Sequence, residues 1–405
     1  MALYNFMLAF TICGIVIIIG EVVSTLTKAW IPSVFVSACL FLVGYWTVLP
    51  KNLVPDSYLI PFGATTGIFL LVTHLGTIIS LRQLIDSWKT VVICLTGLLG
   101  MCLSSYFIAP LFMDRVLVIA GLPPLTGGIV AATMMQAAAT KAGLATAAVF
   151  AITMYCVQGF AGYPLTAICL IKEGRRILED YRAGKIELTA ADRDAISSVM
   201  NTAAEEGNVL EKKKRKFLQI PERFNSSIVI LTKLGFVAWL AMLLGPITHI
   251  SAAIWALVLG VLFCTLGFLD RNSLHKANSF NIIMFALMMY IFSGLSDCTP
   301  EMLSGIIVPM LVLIVVGVVG MFLFAFVIAK ILRVSIYLAF ANCLTALYGF
   351  PFDQIITIAT CDSLAKNKEE HAVLMGKMFP SMIIGGFVTV TITSVFIAGI
   401  FAEML

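Results

Sequence analysis

The sequence predicts an all-α polytopic membrane protein: about 10 transmembrane helices plus two re-entrant hairpins in two inverted-topology repeats. Three observations predict it. The 405 residues are 60% apolar and only 12% charged, with mean hydropathy +1.02, whereas a soluble domain is about half apolar and about a quarter charged. Apolar runs of the roughly 20 residues needed to cross a bilayer recur along nearly the whole chain. Charge is concentrated in one stretch: of 26 Lys and Arg, 12 lie between Lys172 and Arg223, mixed with 10 acids.

The first apolar run, residues 3–23, lacks a basic stretch before it and a small-residue cleavage site after it, so it reads as a retained helix. Residues 1–171 form the first repeat, with spans near 3–25, 30–49, 61–80, 89–113 and 147–171 and an interrupted segment at 121–145. Residues 172–225 form a charged loop. Residues 226–405 form the second repeat, with spans near 226–247, 251–269, 277–294, 303–330 and 371–401 and an interrupted segment at 335–362. The halves also match in wording. "AVFAITMYCVQGFAGYPLTAICL" from Ala148 resembles "AVLMGKMFPSMIIGGFVTVTITS" from Ala372, and each follows its half's interrupted segment.

Charge fixes the orientation. With 172–225 in the cytoplasm and both interrupted segments re-entrant, Lys28, Arg82, Lys89, Lys233, Arg271, Lys276, Lys330, Arg333, Lys366, Lys368 and Lys377 fall at cytoplasmic ends. Only Lys51 and Arg115 fall clearly outside, a bias of 11 to 2 that satisfies the positive-inside rule. Reading either interrupted segment as a full crossing flips the rest of its half and spoils the bias. Five crossings per half is an odd number, so the halves are inverted. Both termini are expected outside the cytoplasm of a multi-pass plasma-membrane protein.

Several function classes lose support. There is no Walker sequence, G-x-G-x-x-G, H-E-x-x-H or G-x-S-x-G, and the ten cysteines show no C-x-x-C or metal spacing. "EKKKRK" (211–216) reads as a topology determinant beside a membrane span, not as a nucleic-acid patch. Neither an enzyme nor a cofactor is expected, and no metal beyond a coupling Na⁺.

The stretch "GLPPLTGGIVAATMMQAAATKAGLA" (121–145) gathers helix breakers and polar residues inside a lipid-soluble chain. In hydrocarbon every backbone N–H and C=O must be paired, so irregular backbone survives only against protein or a water-filled cavity. Half-helix ends then bind anions and unwound carbonyls hold cations. Thr133, Gln136, Thr140 and Lys141 are the substrate-binding candidates here. Lys141 either neutralises a substrate carboxylate or snorkels to the outer interface. The second segment, "VSIYLAFANCLTALYGFPFDQIITIATCDSL" (334–364), adds Asn342 and Thr345 and breaks at Gly349 and Pro351. Asp353, Gln354 and Thr357 follow as cation-binding candidates with hard oxygen ligands. Asp353 either binds the ion or caps the half-helix, and the two roles are compatible. His74 reads as a packing donor or a proton carrier, and Glu21 as an interfacial acid.

These motifs resemble the sodium/glutamate symporter family. "GLPPLTG" (121–127) is similar to the family's Gly-Leu-x-Pro-Leu-x-Gly stretch opening the first hairpin, "THLGTIISLRQL" (73–84) to its third-to-fourth span junction, and "FNIIMFALMMYIFSGLSDCTPEML" (280–303) to its eighth span. The family's hairpin tips are glycine-rich, where this chain reads Ala137 to Lys141 and "ANCLTALYGFPFDQ". The resemblance implies five spans plus a hairpin, twice, and a sodium-coupled symporter of a small carboxylate such as glutamate. A small anionic substrate, membrane lipid and a homodimer are the expected partners, with no nucleic acid. A citrate-like cargo, proton coupling, a passive channel, a membrane enzyme and a scaffold recruiting a regulator through its loop are the alternatives.

Overall fold

The computed structural model describes residues 4–27, 31, 33–78, 85, 87–185, 225–248, 252–296, 298–349 and 352–405, and every structural statement below concerns these. They are helical throughout, without a strand. The first half runs α1 (Phe6–Leu26), α2 (Ser33–Thr47), one turn at Leu53–Asp56, wide turns at Phe62–Gly67 leading into α3 (Ile68–Ile78), and α4 (Trp88–Ile108). Then come α5 (Arg115–Thr126), α6 (Ile129–Lys141), α7 (Ala145–Val157) and α8 (Gly159–Arg182). The second half runs α9 (Ser227–Thr248), α10 (Ala252–Leu266), one turn at Ser273–Lys276, α11 (Phe280–Ser293) and α12 (Pro300–Leu332). It ends with α13 (Ile336–Leu344), α14 (Phe352–Leu364), α15 (Lys368–Gly386), wide turns at Phe387–Thr393 and α16 (Ser394–Ala402).

Local chemistry sets several boundaries. Asp114 caps α5 by accepting the Val116 N–H at 2.9 Å. Thr299 caps α12 at 3.2 Å from the Met302 N–H, with Pro300 at the first helical position where no N–H is missed. Asn367 caps α15 at 2.8 Å from the Glu370 N–H.

Packing follows size, because lipid tails offer no apolar driving force between helices. On α12 the outward face carries Val308, Leu311, Val315, Val319, Leu323 and Val327, all exposed, while Gly317, Gly320, Met321 and Ala325 face inward. Its inner face meets α4 so closely that a Cβ on Gly100 would lie 2.6 Å from the Gly320 carbonyl oxygen. The same device joins α3 to α10, where a Cβ on Gly76 would lie 2.5 Å from the Leu257 carbonyl. Phe10 meets Phe285 and Phe41 meets Phe292, with ring centroids 5.2 and 5.0 Å apart, so α1 and α2 pack on α11.

Six helices are long and apolar enough to cross a membrane: 6–24, 88–111, 145–182, 227–248, 300–332 and 368–402. The chain is a membrane-embedded helical protein. The expected crossings near 30–49, 61–80, 251–269 and 277–294 hold shorter apolar helices of 15, 17 (62–78, wide turns included), 15 and 14 residues. All fall below the roughly 20 residues of a straight crossing. Wide turns consume the first six residues ahead of α3, and α2 stops before Pro50, which cannot donate a helical hydrogen bond. The crossing expected at 147–171 instead continues as helix to Arg182, because Glu173, Ile177 and Leu178 remain buried beyond it. Most of the charged loop, including 211–216, lies outside the described residues, as do Lys28 and Arg82.

Candidate functional site

The first interrupted segment is a pair of half-helices spanning 115–141, and its break lies at Gly127 and Gly128, not among residues 137–141. Pro123 and Pro124 sit inside α5, close to its C-terminal end, without ending it. The two glycines have φ of +121° and +88°, a region where a Cβ collides with the backbone, so glycine is the residue that permits this reversal. The alanine run at 137–139 stays helical, in keeping with alanine's helix preference. In the second segment α13 tightens into a 3₁₀ turn at Thr345–Leu347, Gly349 takes φ +65°, and α14 is helical from Phe352. Phe350 and Pro351 lie outside the described residues.

The two breaks touch. A Cβ on Gly127 would lie 2.6 Å from the Ala346 carbonyl oxygen, so the first tip rests on the backbone of the second. Val390, in the wide turns between α15 and α16, wedges against both, 3.1 Å from the Cβ position of Gly127 and 3.0 Å from that of Gly349. The hydroxyls of Thr345 and Thr389 pair at 3.2 Å across the same junction.

Seven of the nine sequence candidates stand along these half-helices at some degree of burial. Thr133, Thr345 and Thr357 are fully buried, and each hydroxyl donates to a carbonyl of its own helix, at 2.8, 2.6 and 2.6 Å. Gln136 donates through Nε2 to the Tyr290 carbonyl at 3.2 Å and leaves Oε1 without a partner. Asn342 is buried with Oδ1 unpartnered. Asp353 is 0% exposed; Oδ1 accepts the Gln354 N–H at 2.8 Å and Oδ2 has no partner. That oxygen faces Gly386, where any side chain would collide with it. The Gln354 side chain is half-buried.

Thr140 and Lys141 are exposed at the far end of α6. Twelve residues of helix separate Thr140 from Gly128, about 18 Å at 1.5 Å per residue, so neither reaches the junction. His74 accepts the Leu274 N–H on Nδ1 at 3.2 Å, so it caps the turn at Ser273–Lys276 as an acceptor, where a packing donor or a proton carrier was expected.

The arrangement is rich in acceptors. Gln136 Oε1, Asn342 Oδ1, Asp353 Oδ2 and Gln158 Oε1 are buried and unpartnered, and each such group costs about 1–3 kcal/mol, more when charged. Gln158, at the junction of α7 and α8, went unnoticed in the sequence, as did Tyr348, Thr389 and Val390. A lone amide beside glycine in the apolar run "YCVQGFAGY" was the available signal for Gln158. Among the described residues no cluster of His, Cys, Asp and Glu is arranged to hold a metal ion. No protein-family model matches the chain, and no curated protein matches it at a significant level.

Proposed function

We propose that the chain is a secondary active transporter: a sodium-coupled symporter of a small carboxylate such as glutamate, working by alternating access in the plasma membrane. The observation that carries this reading is the contact of two helix breaks from opposite halves, inside a helical membrane protein, among unpartnered acceptor oxygens. Such a meeting of half-helices is where inverted-repeat carriers place cargo and coupling ion.

The order of elements supports two inverted repeats: two helices, a single turn, two helices, a broken pair and a long interrupted helix occur in each half. Crossed packing supports it too, since α3 packs on α10 and α11 packs on α1 and α2. In this reading Asp353 and Asn342 supply hard oxygens for Na⁺. The first N–H groups of α6, which receive no side-chain cap from Gly128, face the substrate carboxylate. The positive-inside bias supports a cytoplasmic central loop and extracytoplasmic termini. A homodimer without a cofactor completes the proposal.

Uptake into proteoliposomes tests it. Radiolabelled glutamate should accumulate against its gradient when sodium is high outside. Accumulation indifferent to both sodium and proton gradients rejects coupling, and non-saturating flux identifies a passive pore instead.

A further inference from the structure

We propose that a cavity between the start of α4 and the middle of α15 holds the phosphate head group of an anionic phospholipid. The inference needs only a membrane-embedded protein and is independent of the carrier reading. The cavity, of about 310 Å³, is walled by Ser87, Trp88, Lys89 and Thr90 of the first half and by Gly376, Lys377, Pro380 and Ser381 of the second. Small-ligand sites span about 300–1,000 Å³, so a head group is at the scale of this one. Its wall suits an anion. Two lysines and three hydroxyl side chains line it, its surface is mainly polar, and no acidic residue stands among the described lining. The 21-residue helix α4 begins here, and Ser87 gives its first turn no side-chain cap. Amide donors and the positive end of a helix dipole therefore join the ammonium groups, the combination that binds phosphate oxygens.

Position decides for a lipid over a free phosphate. The membrane-length apolar stretch of α4 starts at Trp88, which sets the cavity at one surface of the bilayer. Nine residues separate Lys377 from Lys368 at the start of α15, about 14 Å at 1.5 Å per residue. The charged first turn of α15, with Lys368, Glu369 and Glu370, is thus left on the aqueous side while Lys377 lies at head-group depth. Trp88 is 51% exposed, as suits an indole at the membrane interface. Leu95 and Leu99 are exposed too, and at i+7 and i+11 they continue the Trp88 face of the helix. That face is an apolar track leading away from the cavity into the hydrocarbon. An acyl chain can lie along it, and a soluble phosphate gains nothing from it.

Native mass spectrometry of the full-length protein in a mild detergent tests this, with phosphatidylglycerol and phosphatidylcholine of the same acyl chains titrated at fixed ionic strength. The first phosphatidylglycerol should bind at least tenfold more tightly than the first phosphatidylcholine. Lys89→Gln should cut that preference at least threefold, whereas Lys51→Gln, at an exposed lysine outside the cavity wall, should leave it unchanged. A photoreactive phosphatidylglycerol added to the wild type should label residues 87–99 or 376–381, which decides the question even if a variant fails to fold. Equal affinity for the two lipids, labelling confined to other segments, a preference that survives Lys89→Gln, or an equal loss in Lys51→Gln each overturn the proposal. Inorganic phosphate or glycerol 1-phosphate that displaces the first phosphatidylglycerol at the lipid's own concentration identifies a site for soluble phosphates and overturns the lipid assignment.

Discussion

Replacing Asp353 with asparagine keeps the shape of the side chain and removes its charge. In the wild type one oxygen accepts the Gln354 N–H while the other, against Gly386, is buried without a partner. An orphaned buried acceptor costs about 1–3 kcal/mol, and a charged one sits at the upper end or beyond. Asparagine leaves a neutral orphan where a charged one stood, so in sodium-free buffer at pH 8 Asp353→Asn should be the more stable protein by the excess cost of the charge, about 1–3 kcal/mol. At about 2–4 °C per kcal/mol for domains of a few hundred residues, the melting point rises by roughly 2–12 °C. Sodium should reverse the order. A ligand at 100 times its Kd stabilises the native state by about 2.7 kcal/mol, a gain open to the wild type and lost with the carboxylate. The assay is unfolding in detergent micelles, with sodium chloride titrated against N-methylglucamine chloride at constant ionic strength. An Asp353→Asn protein that keeps the wild-type sodium response, or melts lower without sodium, would refute the assignment of a cation to this oxygen.

Gly127→Ala forces a Cβ into φ +121° and toward the Ala346 carbonyl, so strain and overpacking together should cost roughly 2–6 kcal/mol and abolish uptake. Expression with size-exclusion profiles checks the first effect and proteoliposome flux the second. Lys141→Ala, remote from the junction, should leave the uptake KM within about twofold of wild type, a difference of at most about 0.4 kcal/mol. Lys233, 7% exposed, bonds Asp270 at 2.7 Å and Asn225 at 3.0 Å, so Lys233→Met should cost about 3 kcal/mol in thermal unfolding. Burial alone pushes the Asp270 carboxyl up, yet the hydrogen bond from Lys233, with Asn225 and Lys276 nearby, holds it below the usual carboxylate value. Since the folded value is the lower one, this network stabilises fully above the unfolded value of about 3.9 and weakens as pH falls through the folded one. A melting curve measured from pH 6 to 3 should show that acid loss in the wild type and a flatter response in Lys233→Met.

Much of the helical layout was legible, because a run of apolar residues in lipid has one way to satisfy its backbone. The breaks were only half legible. Pro123 and Pro124 look like the point of rupture, but proline tolerated inside a half-helix marks only missing donors. The reversal falls on Gly127 and Gly128, where positive φ is required. Asp353, Asn342 and Thr345 announce themselves as polar residues in apolar surroundings, and all three are buried. Thr140 and Lys141 announce themselves in the same way and lie at the surface, since sequence records polarity and not the direction a helix carries it. Val390 gives no signal at all. Its place between two tips depends on residues 263 and 41 positions away, and no local pattern encodes such a meeting.

The glycine crossing of α4 and α12 has a mechanical consequence. With the Gly320 carbonyl and the Phe324 side chain both occupying the space a methyl group would take at Gly100, the two rods meet at that point with no room between them. Close-packed interiors transmit displacement with little slack. A push on one rod is therefore felt at once by its neighbour, and the pair behaves as a single girder. Any sliding that opens the protein to one side of the bilayer has to occur along seams cushioned by longer side chains.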